Sequence, residues 1–429
     1  MIAWALLLAA VAAAEPAEPS PPPAVGPQPA VVRRLVAALN DNQLARREAA
    51  ERQLLELGPD VLPLLPGEDE PLPAEARQRL TRVRRALEEL ASRRAAEATR
   101  VTLHGNLRLS DTLRELEKQT GNKLIDFRPR FGQQAPDPQL NLALDNAPFW
   151  LALDTILDQA GLTLYNFHGQ SGALAIVAAD PQAAPRKERG CYAGLFRFEA
   201  TQLEALRDLR VADRNSLKLT LEVTWEPRVR PIVLEQPRSA ITATADNGQA
   251  IGVVSPQGRL DVAVQETVNG VDLVVPLVPP SREVRALAQV RGQLTALVPG
   301  RTETFRFTRL HQARNIQQRR GGVNVVLEEV RKNADLYEIR IVVRFDDAAG
   351  ALQSHLDWIS SNEAFLEGPG GQRLEQLNFE RFREQENEVG FAYLCPLEGR
   401  LEDYAFVYKT PAAIIPMPVR YELKDIPLP

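Results

Sequence analysis

Residues 101–127 read VTLHGNLRLSDTLRELEKQTGNKLIDF, and residues 140–178 read LNLALDNAPFWLALDTILDQAGLTLYNFHGQSGALAIVA. In each stretch a short apolar strand pattern precedes a run with apolar residues at helical spacing, and a further strand pattern follows. Gly121 stands where the first helix should end, and Pro148 stands in the first turn of the second helix, which tolerates proline. The pattern predicts a small α/β module over residues 100–178, built as two similar β–α–β halves.

These two stretches resemble the short N-terminal domain shared by secretins and TonB-dependent receptors. The first half of that family's pattern is matched by Leu109, Leu113, Leu116, Gln119, Thr120 and Gly121. The second half is matched by Ala152, Leu153, Asp154, Ile156 and Leu157. The resemblance covers about 80 of the 429 residues and implies a periplasmic interaction or signalling module without catalysis. Because the regions that follow this domain in those families have no counterpart here, only the implication for the module carries over.

The composition limits the classes of function. With 44% hydrophobic and 25% charged residues, the chain can bury real cores, and its length allows two to four domains of about 100–200 residues. A net charge of −5 excludes a nucleic-acid binder driven by overall charge. Seven arginines on a predicted helix over 74–98 lack interleaved aromatics, so we expect a solvated helix face and no nucleic-acid partner. The two Cys and four His exclude a multi-ligand zinc cluster and a disulfide scaffold.

The beginning of the chain suggests export. Residues 2–14 are continuously apolar, and Ala12-Ala13-Ala14 before Glu15 fits a small-residue cleavage site. This run is shorter than the about 20 residues that span a bilayer, so we predict a signal peptide over 1–14 and a bacterial periplasmic or extracellular address. A membrane-resting N-terminal helix is the alternative. Seven prolines predict an extended tether over 15–30, and no later stretch predicts an integral membrane segment.

Residues 31–98 have a helical period. Arg46, Ala49, Ala50, Leu54 and Leu57-Gly58 are similar to the second helix of a HEAT repeat, in which small residues let a paired helix approach closely. We therefore expect a small all-α, HEAT-like region before the α/β module.

Residues 191–429 alternate apolar and polar positions between regular turn signals, as in Leu217, Leu219, Leu221, Val223 and Trp225. This predicts all-β tandem Ig-like sandwiches over 191–311 and 322–429, with a linker near 312–322. The half resembles Ig-like regions of uncharacterised bacterial secreted proteins in architecture alone, and such an analogy does not give function. Cys191 and Cys395 fall in different predicted sandwiches, so we expect both to be unpaired.

Motifs for catalysis are missing from the sequence. The histidines (His104, His168, His311 and His355) form no metal-binding pattern, and there is no nucleophile elbow or phosphate loop. Glu384, Glu386 and Glu388 are predicted to alternate along one strand, where a solvated face explains them as well as an acid–base pair does. Asp346-Asp347 at a strand end is a weak Ca²⁺ candidate without the usual loop. We therefore predict no enzyme, no cofactor and no catalytic or metal-ligating residue.

Two surfaces are predicted to bind partners. Trp358 lies between polar residues in SHLDWISSNEAF, which predicts an exposed ring on which a sugar could stack. The opening strand of the module (Arg100, Val101, Thr102 and Leu103) is predicted to be an unpaired edge, because His104-Gly105-Asn106 should end it early. Proline at position 102 should then weaken partner capture.

The main hypothesis is a non-enzymatic, exported interaction or scaffold protein of the bacterial cell envelope that binds a protein partner through the module. The alternatives are a carbohydrate- or peptidoglycan-binding envelope protein and a hydrolase.

Overall fold

The computed structural model describes residues 28–429 apart from 68–69, 167, 212–213, 266–267, 300–301, 334–335, 347–351, 353–355, 376, 398 and 412–413. The predicted signal peptide and nearly all of the predicted tether lie outside these residues. The chain divides into two compact units, Met1–Leu87 and Glu88–Pro429. Helices dominate the first unit, and most of the second consists of antiparallel sheets, so the fold is mixed α/β.

The first helix begins at Pro29, two residues before the predicted start of the helical region at residue 31. Its elements are α1 (Pro29–Ala38), α2 (Leu44–Glu56), a 3-10 turn (Pro59–Leu64) and α3 (Ala74–Ala96). Most of the predicted apolar positions are buried, including Val32, Leu35, Leu54, Leu80, Val83 and Leu87, whereas Leu90, predicted on the buried stripe of α3, is 37% exposed. Part of the arginine-rich helix face is paired, since Arg79 and Arg82 both contact Glu51.

The α/β module contains two small sheets. Its elements are β1 (Arg100–Arg108), α4 (Leu109–Thr120), β2 (Lys123–Asp126), β3 (Gln139–Pro148), α5 (Phe149–Ala160), β4 (Leu162–Tyr165) and β5 (Ala173–Ala178). β1 pairs antiparallel with β3, while β5 lies between a parallel β2 and an antiparallel β4. Leu116, Leu153, Ile156 and Leu157 are fully buried as predicted, and Leu113 is half-buried against the same core.

β1 is longer than predicted, and this corrects the assignment of its end. The strand continues through His104-Gly105-Asn106 to Arg108, and Gly105 lies opposite Leu142 of β3. Gly105 has a φ of +97°, which a glycine adopts without steric cost. The glycine therefore does not end the strand.

Two sheets enclose the first β core. After a short helix, α6 (Arg186–Arg189), its strands are β6 (Gly190–Ala193), β7 (Phe196–Leu206), β8 (Ser216–Trp225), β9 (Val233–Pro237), β10 (Ile241–Ala245), β11 (Ala250–Ile251), β12 (Arg259–Ala263), β13 (Gly270–Leu277) and β14 (Ala286–Pro299). One sheet has the order β13-β8-β7-β6. The other has the order β11-β10-β14-β9-β12, and the last strand of the chain also pairs with β14. Alternating side chains of both sheets, such as Trp225 and Leu294, share one hydrophobic cluster.

The second β core is enclosed by another pair of sheets. Its elements are β15 (Thr302–Phe307), β16 (Arg314–Arg320), β17 (Val323–Asn333), β18 (Leu336–Phe345), α7 (Asp357–Ser360), β19 (Ala364–Glu367), β20 (Arg373–Leu374), β21 (Asn378–Gln385), β22 (Glu388–Cys395) and β23 (Ala405–Pro411). The sheet orders are β15-β23-β19-β20 and β16-β17-β18-β22-β21. The stretch predicted as a linker, 312–322, contains β16 and the turn that joins it to β17.

The last strand, β24 (Ile414–Pro427), returns to the first β core. It pairs with β14 along its length, from Ala286 opposite Pro427 to Pro299 opposite Ile414. Gly292 of β14 is needed there, because a Cβ would lie 2.2 Å from the Tyr421 ring. The Tyr421 hydroxyl in turn donates to Gln236 Oε1 at 3.0 Å. The sheet pairing thus joins residues 414–427 to strands before residue 300, across the boundary predicted from the sequence.

Candidate functional site

The predicted partner-binding edge lies in β1, and a side chain closes it at Thr102. The Thr102 N–H donates to Gln119 Oε1 at 2.9 Å, and Gln119 Nε2 donates to the Thr102 carbonyl at 3.1 Å. An amide from α4 therefore occupies the place of a neighbouring strand. Of the other predicted residues, Arg100 is exposed, whereas Val101 and Leu103 are buried in the core of the module.

The second half of the module repeats this contact. Gln159 of α5 accepts from the Asn141 N–H at 3.1 Å and donates to the Asn141 carbonyl at 3.1 Å. We call the two contacts the glutamine clamps. Each one satisfies one outward-facing residue of the two-stranded sheet, and unpaired backbone groups at a sheet edge otherwise attract further strands.

The edge of β1 continues beyond its clamp. Asn141 faces outward to its own clamp, so its cross-strand partner Asn106 also turns its N–H and C=O away from β3. Alternate residues of a strand face the same way, which places the backbone groups of His104 on this edge with those of Asn106. Both residues are exposed, and no strand among the described residues pairs there.

The outer edge of β3 is less regular. Between the pairs Val101–Ala147 and Leu103–Leu144, β3 has one residue more than β1, and Asn146 in this bulge has a φ of +46°. Bulges of this kind disfavour the addition of another strand. The segment from His104 to Arg108 keeps a continuous register with β3, although Gly105 has a positive φ, and it is therefore the open edge of the sheet.

A buried ion cluster fixes the module to the first β core. Asp154 of α5 is fully buried. Its carboxylate accepts from Arg186 Nε at 2.8 Å, Arg197 Nε at 2.6 Å and the Tyr192 hydroxyl at 3.0 Å. Both arginines are also buried, and Arg197 pairs in addition with the buried Glu199 at 2.6 Å, so that two carboxylates compensate two guanidinium groups away from water. The cluster ties α5 to α6 and β7.

A second buried carboxylate strengthens the same junction. Glu226 is fully buried and accepts from Thr99 N–H and Oγ1 at 2.8 Å each, from Asn122 Nδ2 at 3.0 Å and from Arg228 Nε at 2.7 Å. Thr99 and Asn122 belong to the module side and Arg228 follows β8, so Glu226 joins the module to the first β core next to the start of β1.

Glu222 lies beside this junction in a less favourable environment. Burial, and next the nearby charge of Glu199, raise the pKa of the Glu222 carboxyl above its ordinary value. Glu222 faces Glu199 on β7 and Asp272 on β13 directly across the sheet. Asn166 of the module donates to it at 3.1 Å.

The prediction that Trp358 presents an exposed ring is wrong. Its side chain is 6% exposed, and the ring packs edge-on against Phe345 with the centroids 5.7 Å apart. Trp358 belongs to the second β core and leaves no face on which a sugar could stack.

The three predicted glutamates lie on one hairpin and not on one strand. Glu384 lies on β21, Glu386 in the turn and Glu388 on β22, so they do not alternate along one strand. Glu388 accepts from Arg383 at 3.0 Å. Asp346 pairs with Arg319, whereas Asp347 and His355 lie outside the described residues.

The remaining predictions concern metal ligands, membrane helices and the two cysteines, and they are compared here with the part of the chain that the structure covers. In it, no group of three or more His, Cys, Asp or Glu side chains is arranged to hold a metal ion, and no helix is long and apolar enough to cross a membrane. Cys191 and Cys395 are free, which confirms that they are unpaired. Burial raises the pKa of the Cys395 thiol to about 12, so it is a poor nucleophile at neutral pH.

No family model, no curated protein and no solved structure matches the chain.

Proposed function

We propose that this chain is a non-enzymatic, exported interaction protein of the bacterial cell envelope, and that a protein partner adds a strand to β1 between His104 and Arg108. The observation that carries the proposal is the exposed edge, in continuous register with β3, that continues from the glutamine clamp at Thr102. Strand addition obtains its affinity from main-chain hydrogen bonds, which this edge offers at His104 and Asn106.

Because Gln119 occupies the backbone groups of Thr102, the binding segment proposed here is His104 to Arg108 and not the predicted Arg100 to Leu103. Arg100 to Leu103 would have to lose the contact with Gln119 before a partner could pair there, whereas the segment after Leu103 needs no such change. The ion clusters of Asp154 and Glu226 support rigid presentation of the edge, which lowers the entropy lost on binding.

The finer assignments belong to the same proposal. The two β–α halves with equivalent clamps support a module like the N-terminal domain of secretins and TonB-dependent receptors. Paired helices α1 and α2 support a HEAT-like region, and two sheets around each β core support Ig-like sandwiches. The periplasmic or extracellular address rests on the sequence of residues 1–30. Because Trp358 is buried, glycan binding is not proposed.

Photocrosslinking tests the edge. A photoreactive amino acid at position 106 of the full chain, in cells that produce the protein, should form an adduct with a partner. His104→Pro should abolish the adduct, since it removes an outward N–H and no bond to β3. His104→Ala keeps the N–H and should retain the adduct. Equal adducts from both variants, with circular dichroism showing both folded, would contradict the proposal, as would the failure of the unaltered edge to form one.

A further inference from the structure

Exposed apolar side chains are grouped at the hairpin that joins β7 and β8. Leu206, Leu209 and Val211 are 62%, 91% and 40% exposed. Single exposed leucines and valines are ordinary on a protein surface, whereas several together mark a site of interaction. We call residues 206–211 the hairpin tip. Residues 212–213, which follow it, lie outside the described part of the chain and are not included in the site.

A neighbouring strand brings a further apolar side chain to the same end of the sheet. Leu206 of β7 is opposite Ser216 of β8. The next residue of β8, Leu217, is opposite Leu277 at the end of β13. Because Leu217 and Leu277 point into the core, the residues beside them point to the outer face of the sheet. Val278 follows Leu277 and is 48% exposed, so it lies at the same end of this outer face as the hairpin tip.

Hydrogen bonds close the turn at the hairpin tip. The Asp208 carboxylate accepts from the Arg210 N–H at 2.7 Å and from the Val211 N–H at 2.9 Å. The Asp208 N–H donates to Asn215 Oδ1 at 2.9 Å. The bond from Val211, and next that from Arg210, holds the pKa of the Asp208 carboxyl below its ordinary value, so the ionised group that closes the turn persists at neutral pH. Leu209 lies between the bonded residues and is therefore held in its exposed position.

The charges around the hairpin tip have a positive excess. Residues 206–216 contain three arginines and two aspartates, and the Asp208 carboxylate is engaged by the backbone of the turn. All three arginines are exposed, and they alternate with the apolar residues along the chain (Arg207, Arg210 and Arg214). Behind the tip, Glu204 and Lys218 lie opposite each other and their charges cancel. Exposed apolar residues flanked by arginines are typical of segments that enter the surface of an anionic bilayer.

The size of the apolar surface favours a bilayer over a protein partner. A stable protein interface buries about 800 Å² on each side, whereas four aliphatic side chains at a hairpin turn offer roughly a few hundred Å². A bilayer accepts such a turn, since apolar side chains can enter the acyl boundary while guanidinium groups stay among the phosphates of the headgroups.

We propose that the hairpin tip inserts Leu209 and Val211 into the surface of an anionic bilayer, while its arginines bind lipid phosphates. Leu206 and Val278 contact the same surface from the end of the sheet. This site goes beyond the proposed function, because it lies in the first β core and uses no residue of β1. Insertion to this depth requires no membrane-spanning helix.

Flotation of vesicles with the full chain tests the proposal. Vesicles of equal parts phosphatidylglycerol and phosphatidylcholine should bind the chain, and Leu209→Ser should weaken this binding roughly tenfold, the effect of withdrawing one leucine from the apolar layer. Leu44→Ser, at an exposed leucine of α2, is the matched control and should bind like the parent. All variants have the same N-terminal residues, so the ratio of two affinities reports the substituted position alone.

The role of the arginines is tested separately. Arg210→Gln should weaken binding to the anionic vesicles about fivefold, since each arginine near an anionic surface adds to the attraction. Arg314→Gln, at an exposed arginine of β16, is its control and should bind like the parent. The proposal is overturned if the anionic vesicles do not bind the chain, as expected if a protein covers the tip. It is also overturned if Leu209→Ser binds as well as Leu44→Ser, or Arg210→Gln as well as Arg314→Gln.

Discussion

Gln119 and Thr102 are joined by two hydrogen bonds that copy the pairing of adjacent strands, one to the backbone N–H and one to the carbonyl. Gln159 and Asn141 are joined in the same way on the other strand. On each outer edge of the sheet formed by β1 and β3, a glutamine side chain thus makes the two hydrogen bonds that a neighbouring strand would make at that residue.

Gln119→Ala should expose the Thr102 amide and lower the free energy of unfolding by about 1 kcal/mol, because the lost bonds lie at the surface where water replaces them. Hydrogen exchange at Thr102 should accelerate while exchange at Asn141 stays unchanged. Gln159→Ala is the matched control: hydrogen exchange should accelerate at Asn141 and stay unchanged at Thr102. Unchanged exchange at Thr102 in Gln119→Ala would show that the clamp does not protect the edge.

Leu116→Ala and Leu157→Ala should each lower the free energy of unfolding by about 2–5 kcal/mol, since both side chains are fully buried in the module. Leu113→Ala should cost less, because Leu113 is half-buried. Urea denaturation measures all three. An equal loss at Leu113 would contradict the burial argument.

Asp154→Asn should destabilise the chain by about 3–5 kcal/mol, because Arg186 and Arg197 would remain buried without their shared counter-charge. Asp111→Asn, an exposed carboxylate on α4 that pairs with Arg114, is the control and should change stability by less than about 1 kcal/mol. Similar losses in the two variants would mean that water reaches the cluster.

Glu222→Gln should stabilise the protein at neutral pH and have a diminishing effect in acid. Because the pKa of Glu222 is raised in the folded state, the folded chain holds this proton more tightly than the unfolded chain does. The stability that the group contributes is present below its ordinary value of 4.5 and is lost as the pH rises through the folded pKa.

Unfolding free energies of Glu222→Gln and the parent chain, measured from pH 4 to pH 8, check the sign. Glu204→Gln, an exposed carboxylate on the adjacent strand, is the control and should give a pH profile parallel to that of the parent. A stability gain for Glu222→Gln that grows toward acid would contradict the assignment.

Local patterns predicted local structure well. Gly121 ends α4 in a left-handed conformation, and the alternation from Leu217 to Trp225 marks β8. The module helices follow their apolar spacing because that spacing fixes which face can be buried.

Contacts between distant segments were not predictable in this way. The burial of Asp154 could not be predicted, because its arginine partners are 32 and 43 positions further along the chain. Trp358 has polar neighbours in sequence, yet the ring that covers it belongs to Phe345 of another element. The role of Gln119 also depends on a strand 17 residues earlier, although the residue itself was part of the noted pattern.

The return of β24 to β14 has a consequence for synthesis. A ribosome releases β14 into solution more than a hundred residues before its neighbour β24 exists, and every strand of the second β core is made in the interval. The nascent chain therefore carries a long, apolar strand edge that only the final segment can cover. A premature stop anywhere in the second β core would leave that edge permanently uncovered, so such truncated chains should depend on chaperones or aggregate.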